Sequence, residues 1–91
     1  MKEDILNRFL MSVSGNPKIL ASHISLFSAI ICCDESDNHA FNISRRKLMK
    51  LSKIRSTGTY HKCINDLIIL EVIKYMPSYH PKLGSKVILF D

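Results

Sequence analysis

The sequence predicts a mainly α protein carrying a small β-hairpin, an α+β domain. Three observations predict it. Apolar residues recur at three- and four-residue steps in four stretches, the spacing of amphipathic helices. Two β-rich runs, residues 72–76 and 86–90, stand near the end and are separated by a segment full of turn residues. The chain has 91 residues, 46% of them hydrophobic and 23% charged, which suits one globular domain over residues 1–91 and not a disordered chain.

Residues 3–13 place Ile5, Leu6, Phe9, Leu10 and Val13 on one stripe. Glu3 and Asp4 stand in the first turn, where the positive end of the helix dipole favours them. Ser14, Gly15, Asn16 and Pro17 stop this helix. Gly15 and Asn16 tolerate left-handed backbone, and Pro17 suits the first position of a following helix. A second helix is expected over residues 18–33. Its stripe of Ile19, Leu20, Ile24, Phe27, Ile30 and Ile31 is broad enough for the centre of a small core. Residues 34–39 form a polar, acidic loop, and the alternation Phe41-Asn42-Ile43 is enough for a strand of two or three residues.

Ser44 is a good N-cap for a short helix over residues 45–51, with Leu48 and Leu51 facing inward. Ser52, Lys53, Ile54 and Arg55 make a tight connection. Ser56 or Thr57 then caps a helix that runs to about Leu70 on a buried face of Tyr60, Ile64, Leu67 and Ile68. The segment 77–85 makes the long exposed tip of an antiparallel hairpin between the last two runs.

A domain this small buries only roughly 60–65% of its unfolded surface, which leaves little room for a deep cleft or a large cofactor pocket. No Gly-rich phosphate loop, nucleophile elbow or paired-carboxylate segment is present, so neither an enzyme nor a cofactor is expected. Cys32, Cys33 and Cys63 are odd in number, and adjacent cysteines rarely bridge without strain. They read as reduced thiols of a cytoplasmic protein, packed as small hydrophobes. With His23, His39, His61 and His80 they show no metal-ligand spacing, so no metal site is expected. No signal-peptide pattern opens the chain, and no apolar run approaches the ~20 residues of a membrane span.

Charge placement says more than net charge. Between Asn38 and Asn65 stand Arg45, Arg46, Lys47, Lys50, Lys53, Arg55 and Lys62, and no Asp or Glu. The window holds seven bases while the whole chain is only +5, so everything outside it is net acidic. A phosphate-facing surface needs such an asymmetry, because each base near a phosphate releases condensed counterions and an acid would repel the backbone.

Two helices joined by a three- or four-residue turn make a helix-turn-helix, and a hairpin directly after the second makes it a winged helix. The segment Ser56-Thr57-Gly58-Thr59-Tyr60-His61-Lys62-Cys63-Ile64-Asn65-Asp66-Leu67 resembles the recognition helix of winged-helix transcription regulators, with Tyr60, Ile64 and Leu67 at its apolar positions. Residues 43–54 look like the preceding helix and turn, and residues 72–75 like the first wing strand. Phe41-Asn42-Ile43-Ser44, Ser52-Lys53-Ile54, Thr59 to Cys63, Tyr75 to Tyr79 and Gly84-Ser85 together look closer still to small winged-helix proteins of mobile elements and plasmids of Bacteroides-type bacteria. The resemblance covers roughly residues 18–90, and residues 1–14 form an additional N-terminal helix. One position departs from the pattern: the usual glycine after the recognition helix is Glu71.

The resemblance implies sequence-specific binding of double-stranded DNA by a transcriptional regulator, with residues 57–70 in the major groove and the wing, about 77–86, on the backbone or minor groove. Thr57, Thr59, His61, Lys62 and Asn65 are the candidates for base contacts, Asn65 having the groups to bond adenine bidentately. Gly58 either lets the helix backbone approach the duplex closely or is a mild helix defect. Arg45, Arg46, Lys47, Lys53, Arg55 and Ser56 are placed for phosphates, and Tyr79, His80, Lys82 and Lys86 for wing contacts. Tyr75 is expected to pack on the hairpin. The stripe of the N-terminal helix must be covered either by the domain's own core or by a second copy, in which case Ile5, Phe9 and Leu10 make a homodimer contact. Two further readings stay open: a replication-initiation or excision accessory factor of a mobile element, and a winged helix whose basic face meets an acidic protein.

Overall fold

The computed structural model describes residues 2–33, 41–76 and 85–89. In chain order the elements are α1 (Lys2–Val13), α2 (Ala21–Cys33), β1 (Phe41–Ile43), α3 (Arg45–Ser52), α4 (Thr57–Ile69), β2 (Ile73–Met76) and β3 (Ser85–Leu89). This is the expected α+β class: four helices beside a small antiparallel sheet. The sheet has three strands rather than two, in the order β1-β3-β2. β1 adds to the outer edge of β3 with Phe41 opposite Val87 and Ile43 opposite Ser85, while β2 pairs β3 with Ile73 opposite Leu89 and Tyr75 opposite Val87.

Alternation along the strands sends Ile43, Ile73, Val87 and Leu89 into the core, with Tyr75 and Phe41 partly buried beside them, so Tyr75 packs as expected. Asn42, Lys74 and Lys86 take the outer face of the sheet and are exposed. α2 is the central helix, packed against α1, α3 and α4, and α4 in turn packs against β2 of the sheet. Leu26, Phe27 and Ile30 on α2 meet Leu48 of α3 and Leu67 of α4, each at most 1% exposed. Burying one such side chain is worth about 1.5–3 kcal/mol, and this cluster supplies most of the drive that holds the two central helices in place.

α1 covers its own stripe. Phe9 is 3% exposed and stacks on Phe27 with ring centroids 4.2 Å apart, Val13 is buried, and Ile5, Leu6 and Leu10 are partly buried against the same core. Of the three residues expected at a dimer contact, Phe9 is therefore enclosed within its own chain, and Ile5 and Leu10 lean inward rather than outward. The second helix starts three residues later than its apolar pattern suggests. Asn16 Oδ1 accepts from the Lys18 N–H at 3.0 Å and Asn16 O from the Ile19 N–H, so tight turns occupy the segment that contains Pro17. The helix opens at Leu20, whose carbonyl accepts from the His23 and Ile24 N–H groups, and Leu20 itself is left exposed.

Two further expectations fail. Leu51 is 45% exposed, because the inward position one turn after Leu48 belongs to Ser52, which is 4% exposed. The Ser52 carbonyl accepts from Ser25 Oγ at 2.6 Å and ties the end of α3 to α2. Cys32 is exposed at the end of α2, whereas Cys33 packs half-buried against the core and Cys63 is fully buried, its Sγ donating to Ser22 Oγ at 3.5 Å. No described helix is long and apolar enough to cross a membrane.

Candidate nucleic-acid interface

The basic segment folds into α3, a short turn and α4, each start fixed by a serine. Ser44 is extended at φ −113° and its Oγ accepts from the Lys47 N–H at 3.3 Å. Ser56 repeats the arrangement before α4, accepting from the Thr59 N–H at 3.2 Å. Such caps satisfy backbone donors that the first turn leaves unpaired. Between the helices Lys53 caps α3 in the left-handed region at φ 66°, which turns the chain sharply. Ile54 then plugs into the core at 7% exposure, its N–H directed to Ser52 Oγ at 3.4 Å. The buried Ile54 leaves Lys53 and Arg55 exposed on either side of it.

α4 buries Tyr60, Cys63, Ile64 and Leu67. At about 100° per residue the opposite side of the helix carries Gly58, Lys62, Asn65 and Ile69, with His61 beside them and Thr57 and Thr59 on the flanks. All five residues expected to meet bases, Thr57, Thr59, His61, Lys62 and Asn65, are exposed. So are all six assigned to phosphates, Arg45, Arg46, Lys47, Lys53, Arg55 and Ser56, and so is Lys86 on β3. Tyr79, His80 and Lys82 lie outside the described residues.

Sequence reasoning gave no contact role to four neighbours of this surface. Lys50 is exposed one turn beyond Arg46 and Lys47, and Lys74 stands on the outer face of the sheet with Lys86. Ile69 is 76% exposed at the far end of the outer ridge of α4. Asp66 is the fourth: its Oδ2 lies 3.7 Å from Lys62 Nζ and 2.7 Å from the buried His23 Nε2. The Lys62–Asp66 spacing of four residues was a readable signal, since such pairs meet on a helix surface.

The charges differ sharply in their partners. Among the described residues Arg45, Arg46, Lys47, Lys50, Lys53 and Arg55 have no acid within ion-pair distance, while Lys62 is tied to Asp66. The His23 hydrogen bond, helped by Lys62, holds the Asp66 carboxyl below the usual carboxylate range against a smaller opposing effect of burial. Burial pushes the Tyr60 phenol up to about 12; neighbouring Tyr75 adds to the shift and the Arg45 charge works against it. Tyr60 of α4 thus feels charge from Arg45 at the start of α3 and from Tyr75 on β2, the strand that packs against α4. No three His, Cys, Asp or Glu side chains come together to hold a metal among the described residues. No family model matches the chain, and no curated protein or solved structure matches it.

Proposed function

We propose that the chain is a winged-helix protein that binds double-stranded DNA with sequence preference and acts as a transcriptional regulator. In this reading α4 enters the major groove, α3 and the turn rest on the phosphate backbone, and the β2–β3 hairpin is the wing. The observation that carries it is the exposure of every base between Arg45 and Lys62, six of the seven without an acid in ion-pair range among the described residues. Unneutralised cations on α3 and on the turn that follows it suit a polyanion, since their interaction with phosphates is strengthened by counterion release.

Shape supports the same partner. A helix of 13 residues is about 20 Å long and its 10–12 Å girth matches a major groove about 12 Å wide. Thr57, Thr59, His61 and Asn65 then offer hydrogen-bonding groups at its leading and outer sides. Arg46, Lys47, Lys53 and Arg55 fix register through phosphates without reading sequence.

Fluorescence anisotropy against duplexes recovered by selection from a random pool tests the proposal. Affinity should fall with log[salt] at a slope near −0.9 per phosphate contact, and Arg46→Ala should lessen that slope by about one without altering sequence preference. Asn65→Ala should relax the preference at one base position instead. A wild-type chain that retains no duplex at low salt overturns the reading.

A further inference from the structure

Gly58 occupies the second position of α4, where glycine is among the poorest helix formers. Two internal reasons could require it, a left-handed backbone or crowding at Cβ. Neither holds. Its backbone is ordinary helix, and a Cβ built there would meet only Ser56 Oγ, at 3.5 Å, an unstrained contact. The fold would accept alanine and gain helix propensity from it. Yet Gly58 lies in the middle of the outer arc of α4, directly opposite the buried Tyr60, Ile64 and Leu67, with Lys62 and Asn65 one and two turns further along the same ridge.

On the duplex-binding reading above, we infer that Gly58 is a specificity-determining residue at which DNA packs directly on the helix backbone. The missing side chain sets how deeply α4 enters the groove. A methyl group there would hold the first turn away from the base edges and lengthen every hydrogen bond that Thr57, His61 and Asn65 make. Phosphate contacts from α3 and the turn survive a small outward shift, because long lysine and arginine side chains follow it. Base contacts from short side chains do not. The substitution should therefore cost selectivity more than general affinity.

The test compares wild type, Gly58→Ala and Gly15→Ala, the last a glycine with open space around it in the turn after α1. Thermal unfolding is read beside anisotropy on two probes, a duplex selected by the wild-type chain and a scrambled duplex of equal length at low salt. Gly58→Ala should raise Tm by a few degrees and weaken binding to the selected duplex by about tenfold or more. Its binding to the scrambled duplex should stay within about twofold of wild type, and Gly15→Ala should match wild type on both probes. A Gly58→Ala protein that binds the selected duplex as tightly as wild type overturns the inference while leaving duplex binding intact. So does a lowered Tm, which would mean that the fold itself uses the glycine. If the wild-type chain selects no duplex, the underlying DNA reading fails, and this inference fails with it.

Discussion

His23 Nε2 donates a 2.7 Å hydrogen bond to Asp66 Oδ2 and so joins the first turn of α2 to the flank of α4. The other ring nitrogen, Nδ1, accepts from the Leu20 N–H at 2.9 Å. A backbone N–H can only donate, so the ring hydrogen must sit on Nε2, and the imidazole bridges the two partners in its neutral form. His23 is 1% exposed, which makes both bonds expensive to lose. One side chain thus starts α2 and sets the position of the carboxylate that holds Lys62.

His23→Ala should destabilise the chain by roughly 1–3 kcal/mol, since it strands the Leu20 N–H and removes the donor to Asp66. Urea denaturation at neutral pH measures this, and an unchanged midpoint would refute it. The same pair shapes the acid limb. A carboxyl whose folded pKa lies below its unfolded value of about 3.9 stabilises the fold fully above that value. That contribution fades as pH falls below about 4 and through the lower folded pKa. Asp66→Asn should therefore unfold with a shallower dependence on pH below 4 than wild type, and parallel acid limbs would count against the assignment.

Tyr60 sets the opposite limb. Its phenol is pushed up to about 12 in the folded chain, chiefly by burial, against about 10 when unfolded. An acid whose folded pKa is raised adds its full stability below the unfolded value. Between pH 10 and 12 that stability is lost, by at most about 1.4 kcal/mol per pH unit, as the unfolded phenol ionises and the buried one does not. Lysines titrate in the same range, so Tyr60→Phe is the informative comparison. Its denaturation midpoint should decline less steeply than that of wild type above pH 10, and the late phenolate absorbance step should vanish.

The difference between what patterning revealed and what it hid follows from range. Local features were legible: the stripes of α1 and α4, the serine caps at Ser44 and Ser56, the alternation in β1, and the exposure of bases that stand opposite the apolar positions. Misreadings arose where a distant residue decided the outcome. Leu51 looked inward by spacing alone, but Ser25 reaches the Ser52 carbonyl and gives Ser52 the inward place. The start of α2 was hidden because an imidazole at its third position does the work usually assigned to Glu or Gln, accepting from the N–H of the residue before the helix. Asp66 lay in plain view, yet its partner His23 is 43 residues away and no periodicity links them. Exposure of the candidate contact residues and the Lys62–Asp66 pair could be read from α3 and α4 alone; the His23 bond that fixes Asp66 could not.

Glu71 shows how the exit from α4 is built without the expected glycine. Its φ is 60°, so a residue with a Cβ adopts the left-handed conformation. The bonds around it are those of a Schellman motif: the Glu71 N–H reaches the Ile68 carbonyl at 2.9 Å and the Val72 N–H reaches the Leu67 carbonyl at 3.2 Å. Leu67 is fully buried and Val72 packs on the same core, which supplies the apolar contact that usually accompanies the motif. Packing and two hydrogen bonds therefore impose a backbone state that costs a non-glycine residue roughly 1–2 kcal/mol. Glu71→Gly should recover part of that, a net gain of about 0.5–1 kcal/mol after the greater freedom of the unfolded glycine chain is subtracted. Glu71→Ala removes the same charge but keeps the Cβ, and it should show no comparable gain. Thermal unfolding of the three proteins decides the matter: a glycine variant no more stable than the alanine one would mean that the turn is not strained at this position.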